Sequence, residues 1–321
     1  MTAAVDVYSE KDPAAGADSA SVDTFLAAIE LTPAEPRHFD LAFLATTQRC
    51  PWPKAYGGDM VAQATTAALR SVGPDRGLHS MHSYFLRPVD IGAEIRYEVE
   101  LLRDGRSYST RQIRGNQNDK VVYVCLASFQ VPEAGLDYTV PMPTGIPDPE
   151  SLPSSAAALT GVPGSAAAYW SFGRSFDQRH VPGPIYTEVD GDRVGTQAVW
   201  LRPFSALPDD PDVHTAALAY VCDYTILEPV LRAHGLAWSD AGLVTASLDH
   251  AMWFHRPARL DDWVLYSQQA VSAQHGRGLA LGHLHDRSGR LMATVGQEGL
   301  IRGPGTAATS STHTTIESHR P

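Results

Sequence analysis

The feature that most constrains this chain is an internal repeat. The string FLRP at residues 85–88 returns as FHRP at residues 254–257, and each copy is followed at a similar distance by a Gly-Arg pair, Gly105-Arg106 and Gly276-Arg277. A short turn follows in both copies. Repetition on this scale predicts one structural unit used twice, with the two copies covering a shared hydrophobic core.

The first copy is predicted to be one helix followed by antiparallel strands. Residues 58–72 carry small apolar residues at helical spacing and are closed by Gly73-Pro74. Residues 94–101 alternate polar and apolar side chains without a fault, which is typical of a strand with one solvated face. Asn118-Asp119 separates two further strand-like runs, so those strands should pair antiparallel.

The second copy repeats this plan. We predict a helical segment over residues 218–234 and strands over residues 263–271, 279–284 and 291–301, with a Ser288-Gly289 turn before the last strand. A single helix lying across a curved antiparallel sheet is an α+β arrangement, and its remaining face needs a second sheet. The tandem copy supplies that second sheet.

Composition shifts divide the chain into five parts. Residues 1–23 and 303–321 lack periodicity and are expected to be disordered tails. Residues 24–138 form the predicted first half and residues 184–302 the second. Between them, residues 139–183 are rich in Pro, Ser and Ala, and we interpret them as a linker.

Charge and composition exclude several classes of function. The chain of 321 residues has a net charge of -11 and no Lys/Arg cluster, so we predict no nucleic-acid partner, although a few arginines could still hold a phosphorylated small molecule. No apolar run is long enough to span a membrane. Charged residues near the N-terminus disfavour a secretory signal, which indicates a cytoplasmic protein. The three cysteines lack C-x-x-C spacing, so we predict no disulfide framework and no metal site.

Several strings resemble the type II acyl-CoA thioesterases, the TesB-like family. They are GGDMVAQA from Gly57, HSYFLRP from His82, LRDGRSYS from Leu102, ASFQVPE from Ala127, DHAMWFHRP from Asp249 and VGQEGLIR from Val295. The resemblance covers about residues 40–302. It implies a tandem double hot-dog fold, hydrolysis of acyl-CoA to free fatty acid and CoA, no cofactor, and a homo-oligomer. One departure is Asp59, where the family often has Gln.

The resemblance also implies a catalytic set of Asp223, Ser247 and Gln297. From the residues themselves, Asp223 follows the apolar run 216–222, so a buried position is plausible, and a buried carboxylate needs partners. Ser247 alone has the character of an ordinary strand hydroxyl. Gln297 alone could be a polar residue on the solvated face of a strand, although two nearby glycines suggest a close backbone approach.

Thioester hydrolysis requires an activated water and donors for the developing oxyanion. In this reading Asp223 accepts a proton from the water, no covalent intermediate forms, and a helix start near Gly58 donates N–H groups to the substrate. Arg106, Arg256 and Arg277 are candidates for binding the CoA phosphates. Taken singly, each of these arginines has the character of an ordinary surface residue.

Other interpretations remain open at the sequence level. His250 and His255 flank Trp253, but in a strand a histidine is more often structural than catalytic, and we interpret both as structural. No G-x-S-x-G string indicates an α/β-hydrolase. An enoyl-CoA hydratase of the same fold would need a histidine five residues after its Asp, where Asp223 is followed by Glu228. A catalytically inactive acyl-CoA-binding protein is the third alternative.

Overall fold

The structure, a computed structural model, describes residues 22–189 and 191–305, so most of both predicted tails lies outside the described residues. Helices α1 to α6 span Asp23–Ile29, Gly57–Leu69, Ser155–Ala158, Ser165–Ala168, Pro211–Val221 and Glu228–His234. Strands β1 to β7 span Thr32–Ala34, Leu41–Thr46, Gly77–Phe85, Glu94–Asp104, Tyr108–Gln117, Lys120–Gln130 and Phe176–Val181. Strands β8 to β13 span Thr196–Pro203, Val244–Ser247, Asp249–Phe254, Val264–Gln274, Arg277–Asp286 and Leu291–Arg302. A 3-10 turn at Pro149–Ser151 and a π-helical turn at Tyr169–Gly173 lie between β6 and β7.

These strands form one continuous antiparallel sheet with two-fold internal symmetry. Its order is β1-β2-β4-β5-β6-β3-β10-β13-β12-β11-β8-β7, with β9 paired to β13. Read from either end, corresponding strands of the two copies follow in the same order. The halves join where β3 pairs with β10, with Met81 opposite Met252. The repeat predicted from the sequence is therefore present as two equivalent sheets fused at their edges.

Helix α2 lies on the sheet of the first half and against α5 of the second half. Its ten buried residues include four alanines and one glycine, and these small side chains allow the close approach of helix, sheet and neighbouring helix. The helix starts at Gly57, one residue before the predicted start, and ends at Leu69 rather than at Val72. Pro74 explains the early end, because in a continued helix its ring would clash with the carbonyl oxygen four residues earlier, at Arg70.

The helical segment predicted over residues 218–234 is wrong as a single helix. Helix α5 ends at Val221 and α6 begins at Glu228, with a turn between them. Pro229 lies in the first turn of α6, where its missing N–H and fixed φ are tolerated, whereas inside a continuous helix it would disrupt the backbone. The turn that results contains Asp223.

Residues 139–183, interpreted as a linker, contribute to the folded core. Strand β7 pairs with β8 at the edge of the sheet, so this pairing begins before residue 184. Met142, Ile146 and Leu152 pack against the buried Trp200 and Trp263. This segment therefore covers part of the second sheet. In the described ranges, no helix has the length and apolar content that a transmembrane span requires.

Candidate active site

The three predicted catalytic residues lie in contact with one another. Asp223 comes from the turn between α5 and α6, Ser247 ends β9, and Gln297 lies on β13. The Gln297 amide Nε2 donates to Asp223 Oδ1 at 2.7 Å and to Ser247 Oγ at 2.9 Å. Ser247 Oγ in turn donates to Asp223 Oδ1 at 3.0 Å. Each donor of this triangle thus has an acceptor.

The start of helix α2 faces Asp223 from the first half of the chain. The backbone N–H of Gly58 donates to the Asp223 carboxylate. A Cβ atom on Gly57 would lie 2.7 Å from Asp223 Oδ2, and one on Gly58 would lie 2.5 Å from the carbonyl oxygen of Tyr220. Glycines are therefore required for this close approach. The predicted substrate-binding residue Gly58 is brought directly to the predicted catalytic residues.

A wall of tyrosines encloses the same place. The rings of Tyr56 and Tyr224 are stacked with centroids 4.7 Å apart. Tyr56 donates its hydroxyl to the Tyr220 carbonyl oxygen at 2.8 Å, and Tyr224 donates to the Tyr220 hydroxyl at 3.0 Å. Burial raises the pKa of Tyr56 and the charge of Asp223 adds to the rise, which places these rings beside the Asp223 carboxylate.

Burial raises the pKa of Asp223. The hydrogen bonds from Gln297, Ser247 and Gly58 act in the opposite direction, but desolvation is the larger effect. A carboxylate whose pKa is raised is a stronger base than a free aspartate. This property suits a group that must accept a proton from water.

His250, which we interpreted as a structural residue, contacts Gln297 directly. Its Nδ1 lies 2.6 Å from Gln297 Oε1, and the side chain is fully buried. The sequence did not predict this contact, because in a regular strand Ser247 and His250 would point to opposite faces of the sheet. The chain breaks its regular pairing at Leu248, between β9 and β10, so both side chains reach Gln297.

Asp59 is a second buried carboxyl group, located in the first turn of α2. Its two oxygens accept hydrogen bonds from the Gln48 backbone N–H and side-chain Nε2, both at 2.8 Å. Burial raises its pKa to about 7, and the charge of Asp223 adds to the rise. The residue that departs from the family pattern is thus a buried acid beside the predicted catalytic residues.

Two of the three predicted phosphate-binding arginines are engaged elsewhere. Arg256 pairs with Asp137 and donates to the Leu291 carbonyl oxygen. Arg277 Nε lies 3.0 Å from Glu298 Oε1. Adjacent residues of a strand point to opposite faces of the sheet, so Glu298 points away from the face that carries Gln297. Arg277, which pairs with Glu298, therefore lies on that opposite face.

The third arginine, Arg106, is exposed in the turn between β4 and β5. The preceding Gly105 carbonyl oxygen accepts a hydrogen bond from Arg76, beyond the C-terminal end of α2. Asp223 contacts the opposite, N-terminal end of that helix. The structure therefore does not bring these three arginines together with Asp223.

The first half carries apolar residues where the second half carries the polar cluster. The repeated strings begin at residues 85 and 254, so positions 169 apart correspond on β3 and on β9–β10. Leu78 is the counterpart of Ser247, and Met81 is the counterpart of His250.

The facing strands give the third pair of counterparts. Leu78 pairs with Phe129 on β6 as Ser247 pairs with Gly299 on β13. Two residues earlier on each facing strand, Ala127 therefore corresponds to Gln297. Leu78, Met81 and Ala127 all lie in the buried hydrophobic core.

Comparison with protein families finds matches in both halves. The sequence profile described as "Acyl-CoA thioesterase" matches residues 170–300, and the profile "Acyl-CoA thioesterase N-terminal domain" matches residues 48–130. "Acyl-CoA thioesterase 2" of Haemophilus influenzae is 34% identical over 270 residues, covering 82% of this chain and 93% of that protein. "Acyl-coenzyme A thioesterase 8" of Homo sapiens is 33% identical over 264 residues, covering 78% and 82%.

Solved structures match over the same range. An acyl-CoA thioesterase II from Mycobacterium marinum has a TM-score of 0.70 at 33% identity, covering 88% of this chain and 99% of that chain. A tesB protein from Mycobacterium avium has a TM-score of 0.70 at 31% identity, covering 88% and 100%. A hot dog fold protein from Alicyclobacillus acidocaldarius has a TM-score of 0.70 at 20% identity, covering 87% and 98%. The predicted α+β tandem double hot-dog fold is confirmed.

Proposed function

This chain belongs to the acyl-CoA thioesterase family and hydrolyses acyl-CoA, and on that premise we propose that Asp223, Ser247 and Gln297 activate the attacking water. The observation that carries the proposal is the closed triangle of hydrogen bonds among the three side chains. A carboxylate with a raised pKa, held by two neutral donors, is suited to act as a general base.

In the proposed reaction, water attacks the thioester carbonyl carbon while Asp223 accepts one of its protons. The tetrahedral intermediate then collapses, the carbon–sulfur bond breaks, and the CoA sulfur receives the proton that Asp223 had taken. The products are a fatty acid and CoA. Ser247 and Gln297 fix the carboxylate and the water through their hydroxyl and amide groups.

The first turn of α2 is our candidate for the oxyanion donors. The Gly58 N–H group and the backbone of Gly57 lie beside the Asp223 carboxylate, so a thioester carbonyl bound next to that carboxylate would meet this helix start. A helix N-terminus carries unsatisfied N–H groups and a favourable dipole for developing negative charge. Arg106, Arg256 and Arg277 stay predictions for the CoA phosphates.

We propose that no covalent intermediate forms. A serine nucleophile normally needs a neighbouring histidine as base, whereas His250 is bonded to Gln297 and Ser247 to Asp223. The absence of an acyl adduct on Ser247 by mass spectrometry, during turnover of a slow substrate, is the expected result. An adduct on that residue would contradict this part of the proposal.

The experiment that tests the general base is release of free thiol from acyl-CoAs of rising chain length. Asp223→Asn should lower kcat by about 10²- to 10⁴-fold, because an amide cannot accept the proton of water. Asp119→Asn, in an exposed turn of the first half, is the matched control and should retain wild-type activity. Full activity in Asp223→Asn would refute the mechanism. Binding without any turnover in wild-type protein would instead indicate an inactive acyl-CoA-binding protein.

We also propose that the chain forms a homo-oligomer through the outer face of its sheet. On that face Leu126, His82, Ala251, Gly296 and Leu281 lie in one row across five strands. Leu126 and Leu281 at the two ends of this row are 49% and 41% exposed, and exposed leucines on a sheet face fit a second copy of the same sheet. Light scattering should show a dimer or larger species, and a monomer would refute the proposal. A cytoplasmic location stays a prediction from the sequence.

A further inference from the structure

We propose that His250 is a positioning residue that holds the Gln297 side chain with its NH₂ group towards Asp223. This inference rests on the proposed role of Gln297 in the reaction. The observation behind it is the contact of 2.6 Å between His250 Nδ1 and Gln297 Oε1, which lies on the far side of the amide from Asp223.

A glutamine amide has two orientations, and only one suits this site. With NH₂ towards Asp223, both of its hydrogens have acceptors, on Asp223 and on Ser247. Rotated by half a turn, the amide oxygen would face the Asp223 carboxylate and two acceptors would repel each other. The group that occupies the other side of the amide therefore helps to decide which orientation is stable.

The imidazole supplies that group as an Nδ1–H donor. His250 is fully buried, and burial lowers its pKa, so the neutral ring is the form to consider. With the proton on Nδ1, the donor is satisfied by Gln297 Oε1. With the proton on Nε2, two acceptors would lie 2.6 Å apart, and a buried N–H would have no hydrogen-bond partner among the described residues. The Nδ1–H tautomer is the stable one.

The first half indicates that the fold itself does not need a histidine here. Met81, the counterpart of His250, is buried opposite Ala127, the counterpart of Gln297. The equivalent place in an equivalent sheet is thus filled by apolar side chains. A histidine and a glutamine occur together only in the half that carries the catalytic carboxylate. Their pairing therefore belongs to the site rather than to the packing of the sheet.

The test compares His250→Met, which installs the residue of the first half, with His250→Asn, whose amide nitrogen lies where Nδ1 does. We expect His250→Met to lower kcat for thiol release by about 10- to 100-fold with KM changed less than about twofold, because a misplaced group costs rate on this scale. His250→Asn should recover most of kcat. Met81→Leu is the matched control and should keep wild-type kcat.

A double-mutant cycle with Gln297→Ala separates positioning from a structural role. If His250 acts through Gln297, His250→Met should cause no further loss of kcat once Gln297 is replaced. A multiplied loss in the double variant, an Asn variant as slow as the Met variant, or wild-type kcat in His250→Met would each overturn the inference. Wild-type activity in Gln297→Ala alone would instead show that the proposed function of Gln297 is wrong.

Discussion

The two halves of this chain share a fold but not a chemistry. Corresponding strands follow in the same order in both halves, with β9 and β10 of the second half in the place of β3 of the first, and each half places a helix on its sheet. At three corresponding positions the first half has Leu78, Met81 and Ala127, and the second half has polar residues with hydrogen bonds among them. The fold therefore tolerates either an apolar set or a hydrogen-bonded polar set at these positions, because hydrogen bonds offset most of the cost of burying polar groups.

The comparison also shows that the second half does not form the site alone. Helix α2 of the first half supplies Gly57 and Gly58 at the point where Asp223 lies. Asp59 and Gln48 support this helix start from within the first half. One half thus contributes the acid, hydroxyl and amide, and the other contributes a helix N-terminus, so neither copy should be active without its partner.

The difference between the two halves is tested most directly by giving the second half the residues of the first. The double variant Ser247→Leu with Gln297→Ala should lower kcat by about 10²- to 10⁴-fold, because Asp223 loses both side-chain donors. Thiol release measures the rate, and circular dichroism checks that the fold is retained. The exchange in the other direction, Leu78→Ser with Ala127→Gln, should leave kcat unchanged but lower the free energy of unfolding by about 2–5 kcal/mol. A second-half variant with more than a tenth of wild-type kcat would contradict the assignment.

The contribution of the first half is tested at Gly58. A Cβ atom there would lie 2.3 Å from the Tyr56 ring, so Gly58→Ala should displace the start of α2 from Asp223. We expect kcat to fall by about 10- to 100-fold, and the free energy of unfolding by about 1–3 kcal/mol from overpacking. Gly135→Ala, at an exposed glycine with open space around it, is the control and should change neither quantity. Equal behaviour of the two variants would show that the helix start is not part of the site.

The buried acid of the first half should make stability depend on pH. The pKa of Asp59 is raised to about 7 in the folded chain, above its value of 3.8 when unperturbed, so the folded state binds its proton more tightly. Stability from this group is therefore present below about pH 4 and is lost as pH rises through about 7, by an amount on the order of a few kcal/mol. Chemical denaturation at a series of pH values should show this fall, and Asp59→Asn should flatten it. An unchanged slope in the variant would mean that another group is responsible.

The smallest expected effect concerns the hairpin turns of the two halves. Asn118 and Asp119 both have positive φ, of 52° and 57°, whereas the corresponding turn of the second half has Gly289 at φ 88°. Asp119→Gly should raise the free energy of unfolding by about 0.5–1 kcal/mol without changing kcat, because glycine adopts positive φ at low cost. Urea unfolding measures the change. A destabilised variant would indicate that the Asp119 side chain makes a compensating contact.

Much of the fold was predictable because its signals are local. The alternation at residues 94–101 and the Asn118-Asp119 turn report directly on strand and hairpin, since side-chain period and turn geometry depend on adjacent residues. The break in the second helix was missed, although Pro229 was visible, because an apolar run at helical spacing outweighed one residue. Strand β7 was missed because it lies within a stretch whose composition is typical of a linker.

The candidate site also has one part that the sequence predicts and one part that depends on the tertiary structure. Asp223, Ser247 and Gln297 were named from strings that resemble a family, and residue order along the chain was enough for that. Their contact, the raised pKa of Asp223 and the bond from His250 to Gln297 depend on the irregularity at Leu248 and on a helix from the other half. None of these can be read from neighbouring residues.

The repeat, the helix-and-strand units, the charge and the identity of the polar residues follow from the amino-acid sequence alone. These properties depend on composition and on spacing within short windows. Four features require the three-dimensional fold: Asp223 lies beside Gly58, His250 faces Gln297, Asp59 is buried, and the three predicted arginines are not brought together with Asp223. The physical reason is that burial and hydrogen bonding between residues far apart in the chain arise from packing the two halves together.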